Sequence, residues 1–358
     1  MFNLNILVQS LRILQSLPQN DLLLTPKAAK EAELSGYDMI MTMENRHEPF
    51  LALGVAAVNT KSITLGTAVA IAFARSPMVV ANVSWDLQNA SRGRFVLGLG
   101  PQIKPHNERR FSVPWSAPVP RLREYVDSLR AIWLSWETGQ GLEYRGEHYH
   151  FTLMPQNFVP ESTKQSPIPI TIAAVGEKSL HLAGESCDGV RLHPFCTRSY
   201  AQNVALPIIQ KALLKSPRSR EQFEITGGGF IATGIDDEEV EKSLEWIRAR
   251  IAFYGSTPAY WPVLRHHGLE DLGLKLNKMT KSGQWSLMAN EISDDVLELF
   301  TAIGKYSEIT NAISYRFEGV ADAIYATTST DIQSKMPRDL IDDIKRIPIK
   351  FIKFSEKW

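Results

Sequence analysis

Ser91-Arg92-Gly93-Arg94-Phe95-Val96-Leu97-Gly98-Leu99-Gly100 holds a turn, a buried strand and an open exit within ten residues. Gly93 supplies the turn, because glycine tolerates the positive φ that a tight helix-to-strand connection often needs. Arg94 to Leu97 carries Phe and Val, residue types that suit a pleated, half-buried surface. Gly98 and Gly100 strip side chains from the carboxyl end of that strand. In an α/β protein, ligands approach the backbone there.

Outward from this strand, the chain alternates strand-like and helix-like segments. Upstream, a helix over 26–34 ends at Gly36 and leads into an apolar strand at 37–42. A helix at 50–59 and a strand at 62–71 follow. Ser76-Pro77 then gives an N-cap with proline at the first helical position, opening a helix to Ala90. Downstream, a helix is predicted at 121–136, then strands at 168–174 and 189–192 with helices at 179–186 and 199–214. A run at 223–233 reads as a strand weakened by Gly227-Gly228-Gly229, and 236–254 as a helix with an acidic first turn. The last strand is 320–326.

Strands alternating with helices at this spacing argue for βαβ units around a parallel sheet. The strands are apolar on both faces, as expected when helices cover the outside and side chains fill the inside. Seven strands run from Tyr37 onward, and an eighth near the N-terminus would close a (β/α)₈ TIM barrel. Ile6 to Gln9 and Arg12 to Gln15 compete for that place. A barrel of this kind routinely exceeds about 250 residues as one domain, so a single domain over 1–358 is the expectation. Segments 142–166 and 256–291 do not fit a minimal barrel and read as insertions over its mouth, with 331–358 as a C-terminal extension.

The 39 basic and 39 acidic residues cancel, which removes the electrostatic reason to expect nucleic acid or an anionic membrane as partner. The N-terminus lacks a basic leading region, and no apolar run approaches the ~18 residues of a bilayer span. Two cysteines, Cys187 and Cys196, in so long a chain fit a reducing cytoplasm.

Gly98-Leu99-Gly100-Pro101-Gln102-Ile103 invites comparison with a dinucleotide fingerprint and fails it, because position 103 is Ile and Pro101 spoils the start of a helix. The polar run Lys104 to Arg110, with His106 and Glu108, reads either as solvated surface or as a site over the barrel mouth. Val175-Gly176-Glu177-Lys178 follows a strand and opens a helix, an ordinary turn or a phosphate site. His193 and Glu44 each end a strand. His148 and His150 alternate along a strand, but no third ligand has convincing spacing, so no metal site is assigned. His266-His267 reads as loop.

Together these residues resemble the luciferase-like monooxygenase superfamily, and within it the branch of coenzyme F420-dependent oxidoreductases. Gly36-Tyr37-Asp38, Leu65-Gly66-Thr67-Ala68-Val69, Arg75-Ser76-Pro77, the Ser91–Gly100 segment, Gly176, Leu182-Ala183-Gly184 and Asp188-Gly189 carry the likeness across residues 26 to 328. Glu108-Arg109-Arg110-Phe111, Trp115, His193-Pro194-Phe195 and the stretch from Phe253 to Tyr260 look like marks of one subgroup.

The resemblance implies a (β/α)₈ barrel with a flavin or deazaflavin at the carboxyl ends of the strands, a homodimer and a small-molecule substrate. It implies a non-prolyl cis peptide near Ala68–Val69, with Gly98 and Gly100 clearing the floor beneath the ring. It places the cofactor phosphate at Val175, Gly176, Glu177 and Lys178. Many relatives have an acidic-His pair after the second strand; here Glu44 is followed by Asn45, with His47 close by. Coenzyme F420 implies hydride transfer, FMN in the same seat implies monooxygenation, and His106 and His193 are candidate proton carriers, followed by Glu44 and Glu108. Two rivals are a flavin-binding protein without turnover and a metal-dependent barrel hydrolase.

Overall fold

A computed structural model describes residues 9–326 and 336–356. Eight parallel strands form its centre: β1 Arg12–Ser16, β2 Met39–Thr42, β3 Thr64–Thr67, β4 Phe95–Gly100, β5 Ile170–Ala174, β6 Gly189–Leu192, β7 Glu224–Gly227 and β8 Ala323–Tyr325. Each pairs with the next, and β8 returns to β1, so the sheet is closed. One circuit through these registers displaces the start by eight residues, the stagger of a TIM barrel.

The pleat divides each strand between two environments. Ile13, Ile40, Leu65, Leu97, Ile170, Val190, Ile225 and Ile324 face outward into one continuous core beneath the helices. Leu14, Met39, Met41, Val96 and Ala323 form a separate, smaller cluster inside the barrel. Fully burying one such aliphatic side chain contributes about 1.5–3 kcal/mol, which explains why apolar residues occupy both faces.

Local signals place several helices as expected. Helix α1, Thr25–Ser35, ends at Gly36 with φ 90°, a left-handed cap that glycine adopts without a Cβ penalty. Helix α2 is Leu51–Asn59, and in α3, Pro77–Ala90, the Ser76 side chain accepts from the Met78 amide. Helix α4 is Pro118–Thr138, α5 is Glu177–Ser186 and α6 is Leu206–Leu213. In α7, Asp237–Gly255, Asp236 accepts from the Glu239 amide; α8 is Ile309–Phe317.

Arg12–Ser16 is the first barrel strand. Gln9 belongs to a short antiparallel pair with the C-terminal extension, Gln9–Ser10 against Pro348–Ile349, while Ile6 to Val8 lie outside the described residues. That pair sits at the amino-terminal end of the barrel. Asp322 accepts there from Arg220 at 2.9 Å, and from the amides of Ile225, Lys350 and Phe351. The extension therefore covers the end opposite the mouth.

Two strand expectations are corrected. The run at 223–233 splits, because Gly227, Gly228 and Gly229 all take positive φ. Its second half, Phe230–Ala232, leaves the barrel and pairs with Thr301–Ile303, a strand the sequence pattern did not show. The run at 62–71 also breaks, after Thr67, and resumes at Ala70–Ile71. Segment 142–166 contains the hairpin Tyr144–Arg145 with His150–Phe151, and 256–291 folds into short helices. Cys187 and Cys196 are separate free thiols, and burial pushes both up to about 12. Among the described residues, no helix is long and apolar enough to cross a membrane.

Candidate active site

The break in the third strand shapes the barrel mouth. Gly66 pairs with Val96 and Ala70 pairs with Leu99, so four steps along one strand face three along the other. One extra residue bulges out of the ladder. The Thr67 hydroxyl fills the gap: it donates to the Gly98 carbonyl at 2.6 Å and accepts from the Gly98 amide at 2.9 Å. Beyond it the Ala68–Val69 peptide is cis, where the resemblance places one.

Gly98 and Gly100 serve this bulge directly. A Cβ on Gly98 would lie 2.0 Å from the Thr67 carbonyl oxygen, and one on Gly100 would lie 2.8 Å from Val69 Cγ2. The glycines admit the bulge, and through it they shape the floor.

Glu44 follows β2 and is nearly buried, its side chain 6% exposed. Its carboxylate accepts from Arg75 at 2.7 Å and from the Ile71 amide at 2.7 Å. Arg75 stands 3.4 Å from Glu48 and stacks over Phe50. Both Glu44 oxygens are committed, so the side chain braces the turn after the bulge.

Gly176 is the N-cap of α5, with no side-chain cap, and a Cβ there would meet nothing within 4 Å. The first-turn amides of Glu177 and Lys178 have no acceptor within the helix, which leaves partial positive charge facing open space. The Tyr200 hydroxyl donates to the Val175 carbonyl at 2.9 Å and fixes the loop. His266 and His267 are structural pins for the insertion: they bond Ser199 at 2.8 Å and Thr197 at 2.7 Å.

His193 follows β6 with its ring centroid 4.4 Å from that of Tyr254 and 4.5 Å from that of Tyr260. Burial brings its pKa down to about 3, so the ring is neutral at neutral pH. The Phe195 amide donates to Nδ1 at 3.0 Å, which puts the ring proton on Nε2. This corrects the expectation of a proton carrier titrating near neutrality; the ring is a neutral hydrogen-bond donor. The folded pKa lies below the unfolded value of about 6.5, so between these values the unfolded chain binds a proton the folded chain does not. Stability should therefore fall as pH drops from about 6.5 toward 3. The variant His193→Asn should show a shallower decline in urea melts at pH 7, 5 and 4; an identical slope refutes the assignment.

His106 and Glu108 lie exposed on a short helix, Lys104–Arg109, just past β4, where Glu108 pairs with Lys104 at 3.8 Å. Arg110 reaches the Asn45 carbonyl and ties this segment to the loop after β2. His150 is exposed on its hairpin. His148 and Glu147 come near Glu124, whose carboxylate accepts the amides of residues 147–149 and so clamps the hairpin turn.

A family model described as Luciferase-like monooxygenase matches residues 14–323. The chain belongs to this family. It is 44% identical over 306 residues to an uncharacterized protein of Mycobacterium tuberculosis, covering 85% of this chain and 90% of that one. It is 29% identical over 294 residues to the 5,10-methylenetetrahydromethanopterin reductase of Archaeoglobus fulgidus, covering 80% and 83%. The structure of coenzyme F420 dependent tetrahydromethanopterin reductase from Methanopyrus kandleri superposes with a TM-score of 0.75 at 19% identity, covering 95% of this chain and 98% of that one. At that identity the likeness is one of fold.

On this luciferase-like barrel, the residues expected from the sequence to serve catalysis or cofactor binding (Glu44, Ala68, Val69, Gly98, Gly100, His106, Glu108, Val175 to Lys178 and His193) sit at or just past the carboxyl ends of β2 to β6. His148 and His150 instead lie on a hairpin that precedes β5, and His266 and His267 lie in the later insertion. Sequence reading quoted Thr67, Arg75 and Tyr260 in its motifs without giving them a role, and it missed Tyr200 and Arg191 altogether. Arg191 did leave a signal, since a charge within an otherwise apolar barrel strand is the informative kind of exception.

Proposed function

We propose that this protein is a coenzyme F420-dependent oxidoreductase that transfers hydride to or from a small organic substrate. The observation that carries the reading is one rim holding both the Ala68–Val69 bulge, seated on the bare Cα atoms of Gly98 and Gly100, and an uncapped helix N-terminus at Gly176. A planar ring with a phosphate-bearing tail needs those two features together. Similarity to a putative coenzyme F420-dependent oxidoreductase of Mycobacterium tuberculosis, 26% identical over 296 residues, favours the deazaflavin over FMN.

In this reading, Val69, backed by Gly100, would lie against the ring, and the amides of Glu177 and Lys178 would take the phosphate. When bound, a deazaflavin supplies two-electron chemistry by exchanging hydride at a ring carbon. The Glu44–Arg75 pair holds the turn behind Val69. His193 presents Nε2–H to the substrate oxygen and orients it, and His106 is the residue that exchanges the proton.

Absorbance titration of the protein, with coenzyme F420 and FMN separately, tests the proposal. Saturable binding of F420, followed by its reduction with a substrate panel, is the expected result. Tight binding of FMN alone would move the chain to the monooxygenases, and binding without turnover across the panel would leave a flavin-binding protein. Binding of neither ring overturns the reading.

A further inference from the structure

Buried charges stand inside the barrel as well as at its mouth: Arg12 on β1 and the fully buried Glu224 on β7 form an ion pair, whereas Arg191 is in no such pair among the described residues. Arg191, on β6, is 3% exposed. Its guanidinium crosses the lumen: Nε donates to Thr171 Oγ1 at 3.0 Å, Nη1 lies 3.4 Å from Met41 Sδ and Nη2 lies 4.0 Å from Met39 Sδ. The Tyr325 hydroxyl is a further hydrogen-bond partner. Among the described residues, no carboxylate forms an ion pair with it. Thioethers are weak acceptors and neutralise nothing.

The position of this charge is fixed by glycines. The point where a Gly98 Cβ would stand is 2.8 Å from Arg191 Nε and 2.0 Å from the Thr67 carbonyl; a Gly66 Cβ would stand 3.5 Å from Nη2. The guanidinium therefore lies against the bare inner faces of β3 and β4, one layer below the Ala68–Val69 bulge. Ala68 and Tyr325 both pack on the lumen cluster that contains Met39 and Met41. A lone buried guanidinium is costly to folding, and an apolar side chain of similar volume would avoid that cost. Its field passes through a lumen that water does not enter freely, lined by Met39, Met41 and Ala68 and shared with the charge-balanced Arg12–Glu224 pair, where screening is weak.

We infer that Arg191 is a positioning charge beneath the cofactor seat, which favours the reduced, more negative ring over the oxidised one. The inference rests on the proposed hydride-transfer reading. In that reaction the substrate C–H bond breaks, both electrons and that hydrogen pass to the ring, and the substrate carbon is oxidised as its hydroxyl proton leaves. The ring gains one negative charge, and a fixed cation below it stabilises that gain without moving.

The test compares wild type with R191M, R191Q and R191K. Each is titrated anaerobically with oxidised and with dithionite-reduced F420 and FMN, and thermal unfolding of each variant checks the fold. For the ring that wild type binds, the two neutral variants should shift the ratio of oxidised to reduced dissociation constants by about tenfold against the reduced form, equivalent to ~30 mV for a two-electron couple. R191K should keep the wild-type ratio. An unchanged ratio in R191M and R191Q overturns the inference, and so does an equal loss in R191K, which would make shape rather than charge responsible. If wild type binds neither ring, the functional proposal falls and this inference with it; binding with an unaltered ratio removes this inference alone.

Discussion

Gly98→Ala is expected to destabilise the fold by about 3 kcal/mol or more, although it adds a single methyl group. That methyl would stand 2.0 Å from the Thr67 carbonyl oxygen and 2.8 Å from Arg191 Nε. The carbonyl cannot turn aside, because the Thr67 hydroxyl bonds both the amide and the carbonyl of Gly98. Relief requires β3 and β4 to part where the barrel depends on their pairing. Total stabilities of about 5–15 kcal/mol make such a loss severe. Gly100→Ala is the control: its methyl is close only to Val69 Cγ2, at 2.8 Å, with Ala173 Cβ at an ordinary 3.8 Å, so a side chain can yield. That variant should melt close to wild type and lose cofactor affinity instead. Denaturant melts of both proteins decide the matter, and a Gly98→Ala curve that overlays wild type would remove the steric argument.

Glu44→Ala should cost about 3 kcal/mol, because it leaves Arg75 and the Ile71 amide without their main acceptor. The Arg75 side chain is 19% exposed, and Glu48 at 3.4 Å is a poor substitute. Glu44→Gln keeps an acceptor for Ile71 and should lose about half as much. The pair of variants separates a brace from a proton carrier. A brace predicts that turnover falls together with stability and recovers partly in Glu44→Gln. A proton carrier predicts an unchanged melting temperature with turnover reduced about 10²-fold or more in Glu44→Gln.

Much of the barrel was legible because its signals are local. Gly36 ends α1, Ser76 opens α3, and the apolar runs around Ile40, Val96 and Ile172 give strands buried on both faces. The breaks were less legible. A run such as 62–71 looks continuous because each residue suits a strand; only the register against β4 exposes the extra residue. Thr301–Ile303 is three residues long, too short to show a period, and it becomes a strand only because Phe230–Ala232 swings out to meet it.

The candidate site divides along the same line. Which residues stand near the mouth followed from their places after strands, so Glu44, Gly100, Gly176 and His193 were found from sequence. What each does there depends on partners far away in the chain. Glu44 is a brace because Arg75 folds back to it, and His193 is neutral because Tyr254 and Tyr260 exclude water around it. Sequence by itself determined the Ser91–Gly100 turn, strand and bare exit, because backbone preference and side-chain alternation act over a few residues. Only the closed barrel decided that Gly98 makes room for Thr67 and Arg191, since closure alone brings those separate strands within contact distance.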